Sequence, residues 1–338
     1  MPAGNIADLG FAIQAAKGTP SSASSERSYL MGGGLSPARS IADIEESSSG
    51  RLRNSAYVQN TSVEGDPQMA ARPSMLGMLL YGAMGAKAVT GAADPYTHTF
   101  TLAATQPYLT IWRMLGASLF ERFSDCKVSS LGIETGSGGV MAVTCGLTGI
   151  SPAFQTAAEA AVAAEATEPF LHTDGKGQFV IEGVVVSSLS KVALNIDTGA
   201  EMTYGDAITA DQVVEQMLEI TLETEQTISN YAEWNRFHYG TATPANNAAP
   251  TTAVIELGAP GISFKWSKRT TAGAVASPAR SLELTATRVQ IASVSGQEVN
   301  TSGAPLTRTV GYRIYQPAGA TSGLTAVLQN ARASYVAS

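Results

Sequence analysis

Charge is scarce in this chain. Lys and Arg number 21 and Asp and Glu 28, so charged residues are 14 % of 338, against roughly a quarter in an ordinary soluble domain. A surface so poor in charge is covered by Ser, Thr, Gly, Ala and backbone, or by another subunit. The second reading, an obligate oligomer whose outer faces are largely interface, is favoured over a secreted β protein with a hydroxyl-rich surface. Basic residues are the minority: the net charge is −7 and the pI about 5.1. That excludes a surface built to neutralise phosphates, though not one that nucleic acid passes without sticking. There are only two cysteines, Cys126 and Cys145, and no Cys-x-x-Cys pair. The chain is therefore neither a disulfide scaffold nor a zinc framework, and both thiols read as small buried apolar groups in neighbouring strands. No apolar run approaches the ~20 residues that cross a membrane; the longest are Met75–Met84 and Val180–Leu189. The start, Met-Pro-Ala-Gly-Asn-Ile, lacks the basic and apolar regions of a signal peptide. Assembly in the cytoplasm, without membrane contact, is the expectation.

Catalytic constellations are missing as well. His98, His172 and His238 are far apart, and none belongs to an HExxH-type pair. There is no G-x-S-x-G elbow. Gly32-Gly-Gly34 and Gly136–Gly139 lack the strand–turn–helix context and the Lys of a phosphate loop, so they read as turns. The local carboxylate pairs, Glu45/Glu46, Glu64/Asp66 and Glu223/Glu225, have no partner group and read as solvated faces rather than an acid/base dyad. No catalytic residue, cofactor or metal ligand is assigned, and the expected role is non-enzymatic.

What is present is alternation. Val128–Thr135 and Val140–Ile150, joined by Gly136-Ser-Gly-Gly139, form a hairpin signal. Phe179–Val186, Ala193–Asp197, Met217–Glu225, Ala253–Lys265, Ser281–Ala292 and Thr307–Tyr315 predict further strands. One face apolar and one polar suits a sandwich or barrel. Two short helices are predicted. Pro73–Met84 opens on Pro-Ser, stops at Gly85 and carries Leu76, Leu79 and Leu80 on an apolar stripe. Ser229–Tyr239 opens on a capping residue, stops at Gly240 and carries Tyr231, Trp234 and Phe237. The six apolar residues named are candidates for covering a sheet edge or plugging a barrel end. The Ala-rich run Ala157–Ala166, between Pro152 and Pro169, reads as a linker. On either side the order strand, helix, loop, strands repeats, giving residues 1–153, a linker at 154–169, and residues 170–338.

These residues resemble a known family. Leu9-Gly-Phe-Ala-Ile-Gln-Ala-Ala-Lys-Gly-Thr-Pro20 is similar to the small-residue, Gly-Thr and Pro opening of major tail proteins of long-tailed bacteriophages. Val63-Glu-Gly-Asp66 followed by Leu76–Leu80 resembles that family's strand-then-helix segment. Tyr96–Phe100, Tyr108–Ile111 and Cys126–Leu131 resemble its following strands, and Leu328–Tyr335 its closing strand. The resemblance, to the tail tube proteins of siphophages with long, non-contractile tails, spans nearly the whole chain. It implies a mainly β fold: two tandem tail-tube-like β-sandwich or barrel domains, each with one short helix. It implies rings that stack into the conduit for the genome, with the inner sheet of each subunit joined to its neighbours'. It also implies a hairpin arm that reaches the next ring. The polar stretch Glu45–Asn54, within an arm at about 41–60, is the candidate, with Glu45, Glu46, Arg51 and Arg53 as its inter-ring contacts.

The partners so implied are other copies of the chain, a tape measure protein and a tail terminator, with double-stranded DNA passing through unbound. If each half is a tube domain, three chains make a pseudo-six-fold ring; if the second half is a decoration, six do. The alternative, a carbohydrate-binding or adhesive β-sandwich, needs exposed aromatics on one face, and Trp112, Trp234 and Trp266 are dispersed.

Overall fold

Strand after strand places apolar side chains on one face and polar ones on the other, so the chain folds by laying apolar faces against a shared interior. The structure, a computed structural model, describes residues 7–44, 55–116, 119–159, 162–228, 231–270, 273–295, 306–320 and 322–336. The segment before the linker contains β1 (Ala7–Ile13), β2 (Glu26–Gly32), β3 (Ser36–Asp43), β4 (Ala56–Gly65), β5 (Gln68–Ala70), α1 (Pro73–Met84), β6 (Gly85–Thr90), β7 (Tyr96–Leu102), β8 (Leu109–Leu115), β9 (Leu119–Gly136), β10 (Ala142–Gly149) and β11 (Ser151–Gln155). After it come a 3-10 turn (His172–Gly175), β12 (Phe179–Ile181), β13 (Val184–Val185), β14 (Leu189–Asp197), β15 (Glu201–Thr203), β16 (Gln212–Val214), β17 (Glu219–Thr227), α2 (Ala232–Tyr239), β18 (Ile262–Ser267), β19 (Ser281–Ala286), β20 (Val289–Ser295), β21 (Thr307–Ile314) and β22 (Thr325–Asn330). The mainly β class expected from the sequence is the class observed.

β9 organises the molecule. Its first part pairs with β8 and β11, and its second part pairs with β10 on one side and β14 on the other. The path β9-β8-β1-β2-β5-β10 returns to β9 as a closed barrel, and β14-β17-β21-β20 extends the same sheet outward. A seven-stranded sheet, β13-β12-β18-β19-β22-β7-β6, packs behind it and likewise draws on both sides of the linker. One apolar core, from Leu9 to Tyr335, fills the space between.

α1 lies inside that core, against β9, β22, β7, β2 and β6. Leu76, Leu79 and Leu80 are fully buried, and so are most of the remaining side chains of the helix. The amphipathic stripe expected of this helix is therefore replaced by burial all round. The reason is that sheets lie on both of its sides, so no face is left for water. Pro73 sets the first turn, and Gly85, at φ 85°, closes the helix with its N–H on Tyr81 O. The cap comes from the linker: the Glu165 carboxylate accepts from Ser74 N at 2.9 Å and Met75 N at 3.1 Å, matching negative charge to the helix N-terminus. Tyr335 closes the other approach. Its hydroxyl donates to Ser74 O at 2.7 Å and accepts from Asn330 Nδ2 at 2.7 Å, and its ring fills the space left by the absent side chain of Gly77.

Several expected boundaries move. Phe179–Val186 is two strands rather than one, because Glu182 and Gly183 both take positive φ, 51° and 78°, the turn that joins a two-residue hairpin. Ser281–Ala292 also splits, and β19 and β20 go to different sheets; alternation alone is blind to a strand that changes sheet. Ala253–Lys265 becomes strand only from Ile262, after Gly258, Pro260 and Gly261. The strand expected from Met217 begins at Glu219, and Met217 itself is exposed. The capping residue expected for the second helix, Ser229, lies outside the described residues, and α2 runs Ala232–Tyr239.

Candidate functional site: one polar face across eight strands

Following the β9–β10 pairing, the strands β3-β4-β10-β9-β14-β17-β21-β20 lie side by side. Register fixes which side chains share a face. The row Val143–Ile133–Leu194–Leu222–Tyr312–Ile291 points into the core, and so does Cys145–Leu131–Ile196–Ile220–Ile314–Val289. Each large apolar side chain buried this way contributes about 1.5–3 kcal/mol, so the register cannot slip by one residue without turning both rows into water.

The intervening rows face the other way. One reads Ala142–Glu134–Ala193–Glu223–Gly311–Ser293, and the next Thr144–Gly132–Asn195–Thr221–Arg313–Gln290. Above them lie Gly136–Lys191–Glu225–Thr309–Ser295, and below them Gly146–Ser130–Asp197–Glu219. Most residues of the first two rows line a concave trough of about 650 Å³. The four rows together are acidic and hydroxylic with small residues between. Five carboxylates (Glu134, Asp197, Glu219, Glu223, Glu225) stand against two cations, Lys191 and Arg313, which leaves −3 per chain. Both cations are held by carboxylates. Lys191 Nζ lies 3.2 Å from Glu134 and 3.9 Å from Glu223, and the hydrogen bond to Glu134 raises its pKa above the ordinary lysine value. Arg313 Nη2 lies 3.3 Å from Glu219.

The face has two free margins. Among the described residues β3 has no further strand beyond it. The outer edge of β20 is partly covered, by Leu257 N donating to Val289 O at 2.8 Å and Ile291 N donating to Ile255 O at 2.9 Å. That leaves Ala292–Ser295 open among the described residues.

The sequence-predicted residues scatter around this face. Glu45, Glu46, Arg51 and Arg53 lie outside the described residues. The strands that lead to them, β3 and β4, run beyond the lower end of β10 as a hairpin with Ile41 and Tyr57 exposed. Leu76, Leu79 and Leu80 are core. Trp234 and Phe237 of α2 pack on the core beside β20, while Tyr231 is exposed. The face residues themselves were visible only in part: Glu223/Glu225 has the period-two spacing of a solvated strand face, but nothing local joins it to Glu134 or Lys191. Among the described residues no cluster of His, Cys, Asp and Glu has the makings of a metal site. Cys126 and Cys145 are buried free thiols whose pKa burial pushes up. No tryptophan is exposed: Trp112 and Trp266 are buried and Trp234 is half-buried. The aromatic platform a carbohydrate reading requires is therefore not formed by them.

No curated protein matches the chain. A family model does, over residues 4–264, and its description is phage tail tube protein. That stretch includes the barrel, the linker, α2 and the β14–β17 extension of the polar face, and so takes in most of what has been described above. The chain belongs to the phage tail tube protein family, a structural component of the virion tail.

Proposed function

We propose that the polar face of the eight-stranded sheet lines the lumen of a tube of stacked rings through which the phage genome passes. The observation that carries this reading is the order of strands. The sheet consists of two consecutive sets, β3-β4-β10-β9 and β14-β17-β21-β20. In each set the first two strands follow one another within the sheet (β15 and β16, which lie between β14 and β17 in the chain, form a separate two-stranded sheet), then comes a helix, then a second consecutive pair that returns to the sheet with its later strand inside. The two halves are thus copies in topology without being copies in sequence.

The joint between β9 and β14 is the joint such a unit makes with the next one. Repeating it outward brings the open part of β20 against β3 of a second chain, in the β-augmentation mode. Three chains then supply twenty-four strands. At about 4.8 Å spacing these close a cylinder about 37 Å across at the backbone before tilt, whereas six chains would give about 73 Å. Three chains per ring, with pseudo-six-fold symmetry, is the reading that fits a conduit for one duplex. Fusing two units also makes half of the ring joints intramolecular, which lowers the cost of association.

An acidic, small-residue lining lets DNA slide, since its two cations, Lys191 and Arg313, are already held by carboxylates and its net charge is negative. Rings stack through the arm at about 41–60, with Glu45, Glu46, Arg51 and Arg53 as its candidate contacts. The tape measure protein and tail terminator are the expected further partners, assembly takes place in the host cytoplasm, and the role is non-enzymatic. Cryo-electron microscopy of assembled tubes tests the ring. Three chains per ring with Glu134 and Glu223 lumenal is the expected result. Six chains, with residues 170–338 hanging outside the wall, would refute it.

A further inference from the structure

β14 and β17 occupy in their set the place that β3 and β4 occupy in theirs, and in both cases the intervening chain leaves the sheet at its lower end, beyond Asp197 or Val63. Between β14 and β17 that chain is the β15–β16 hairpin. It lies across the lower ends of β9 and β10 and is held there firmly. Val213 and Ala210 bury against Ile150. Lys127 Nζ pairs with Glu215 at 2.7 Å, and Gln106 N donates to the same carboxylate at 2.9 Å. Thr61 N, in β4, donates to Ile208 O at 2.9 Å.

A hairpin so well anchored has no need of apolar groups in water, yet its tip, residues 203–209, is exposed throughout and carries Tyr204 and Ile208, the latter 52 % exposed. The opposite, upper end of the sheet carries a recess. There Ser137 of the β9–β10 turn, the His172 turn, Phe179 and Leu189 line a cleft of about 310 Å³. Its floor is apolar, and His172, bonded through Nε2 to Leu189 O at 3.0 Å, has its other ring nitrogen without a partner among the described residues. Two exposed apolar side chains at one end, on a tip whose backbone is tied to β4, and a largely apolar recess at the other are the two halves of a heterologous contact, which repeats along an axis without closing.

We infer that the hairpin 199–217 is a second inter-ring arm, whose Tyr204–Ile208 tip seats in the His172–Phe179–Leu189 recess of a second copy of this chain in the next ring. This rests on the stacking reading above and adds to it. A three-chain ring then carries six arms, one from each topological unit. The tip carries one charge, Asp206, and the recess one, Lys176, so most of the surface stripped of water on docking belongs to Tyr204, Ile208 and the apolar floor.

Two variants test this on the full chain. In Tyr204→Ser/Ile208→Ser the subunit should melt as the wild type does and still form rings, while mean tube length in negative-stain images falls on the order of tenfold, as loss of two apolar anchors predicts. In Ile208→Cys/Thr173→Cys, oxidation should link chains into a ladder in tubes and leave free subunits unlinked; Cys126 and Cys145 are buried and stay silent. Wild-type-length tubes from the serine variant together with no ladder in intact tubes would overturn the second arm while leaving stacking in place. Wild-type protein that forms rings but never tubes would overturn the stacking reading itself.

Discussion

Reversing the charge of the polar face is the most direct probe of the lumen. Glu134 and Glu223 sit in one row of the face, both exposed, with Lys191 reaching toward both. Glu134→Lys/Glu223→Lys moves the face from −3 to +1 per chain, since each exchange shifts the charge by two. The fold should tolerate it: the ion pairs lost are surface pairs, each worth about 0–1 kcal/mol. A three-chain ring gains six lumenal lysines. If these engage six phosphates, the slope of log K against log salt is about −5, and affinity falls on the order of 10³-fold between 50 and 200 mM salt. The assay assembles tubes in the presence of short duplex DNA and measures the DNA protected from nuclease. Wild-type tubes should retain little DNA at either salt concentration, whereas variant tubes should retain it at 50 mM and release it at 200 mM. Variant tubes that assemble normally yet bind no more DNA than wild type would refute a lumenal position for this row.

Further outcomes follow from the packing. Leu194→Ala, in the core row that bridges the two strand sets, should cost about 2–5 kcal/mol and lower one cooperative melting transition, because both sides of the linker share a core; two separate transitions in calorimetry would contradict this. Glu26 is pushed up to about 7 by burial, offset by Arg332 and reinforced by Glu165. An acid raised in the folded state stabilises most below its unfolded pKa, so subunit stability should fall from about pH 4.5 to pH 7, by at most about 3 kcal/mol, and Glu26→Gln should flatten that slope in melting curves taken across the range. Tyr335→Phe removes the hydroxyl's bonds to Ser74 O and Asn330 Nδ2, the latter keeping only Pro73 O at 3.1 Å, and should cost about 1–3 kcal/mol in chemical unfolding. Deleting residues 47–54 should leave the circular dichroism spectrum unchanged and reduce ring stacking; tubes of normal length from that deletion would place the arm elsewhere.

The sequence by itself determined the class of fold and the chemistry of its surfaces. Period-two alternation in Val128–Thr135, Ala193–Asp197 and Thr307–Tyr315 is a local property, imposed by a backbone that turns successive side chains to opposite faces, and it survives in β14 and β21 and, beyond a bulge at Ser129, in β9. The start and stop of α1 were equally local, being written in Pro73 and Gly85. What tertiary structure decided is everything that depends on which strand lies next to which. Glu134 and Glu223 are eighty-nine positions apart in the sequence, and become neighbours only because β14 inserts between β9 and β17. Whether α1 is amphipathic or buried all round depends on a second sheet formed largely by residues far downstream. The helix is capped by Glu165 and closed by Tyr335, neither of which any helix-local pattern could name. Pairing of distant strands is set by the summed burial of whole rows, not by any residue's own propensity. The polar face therefore came into view only once the apolar rows had been placed against the core.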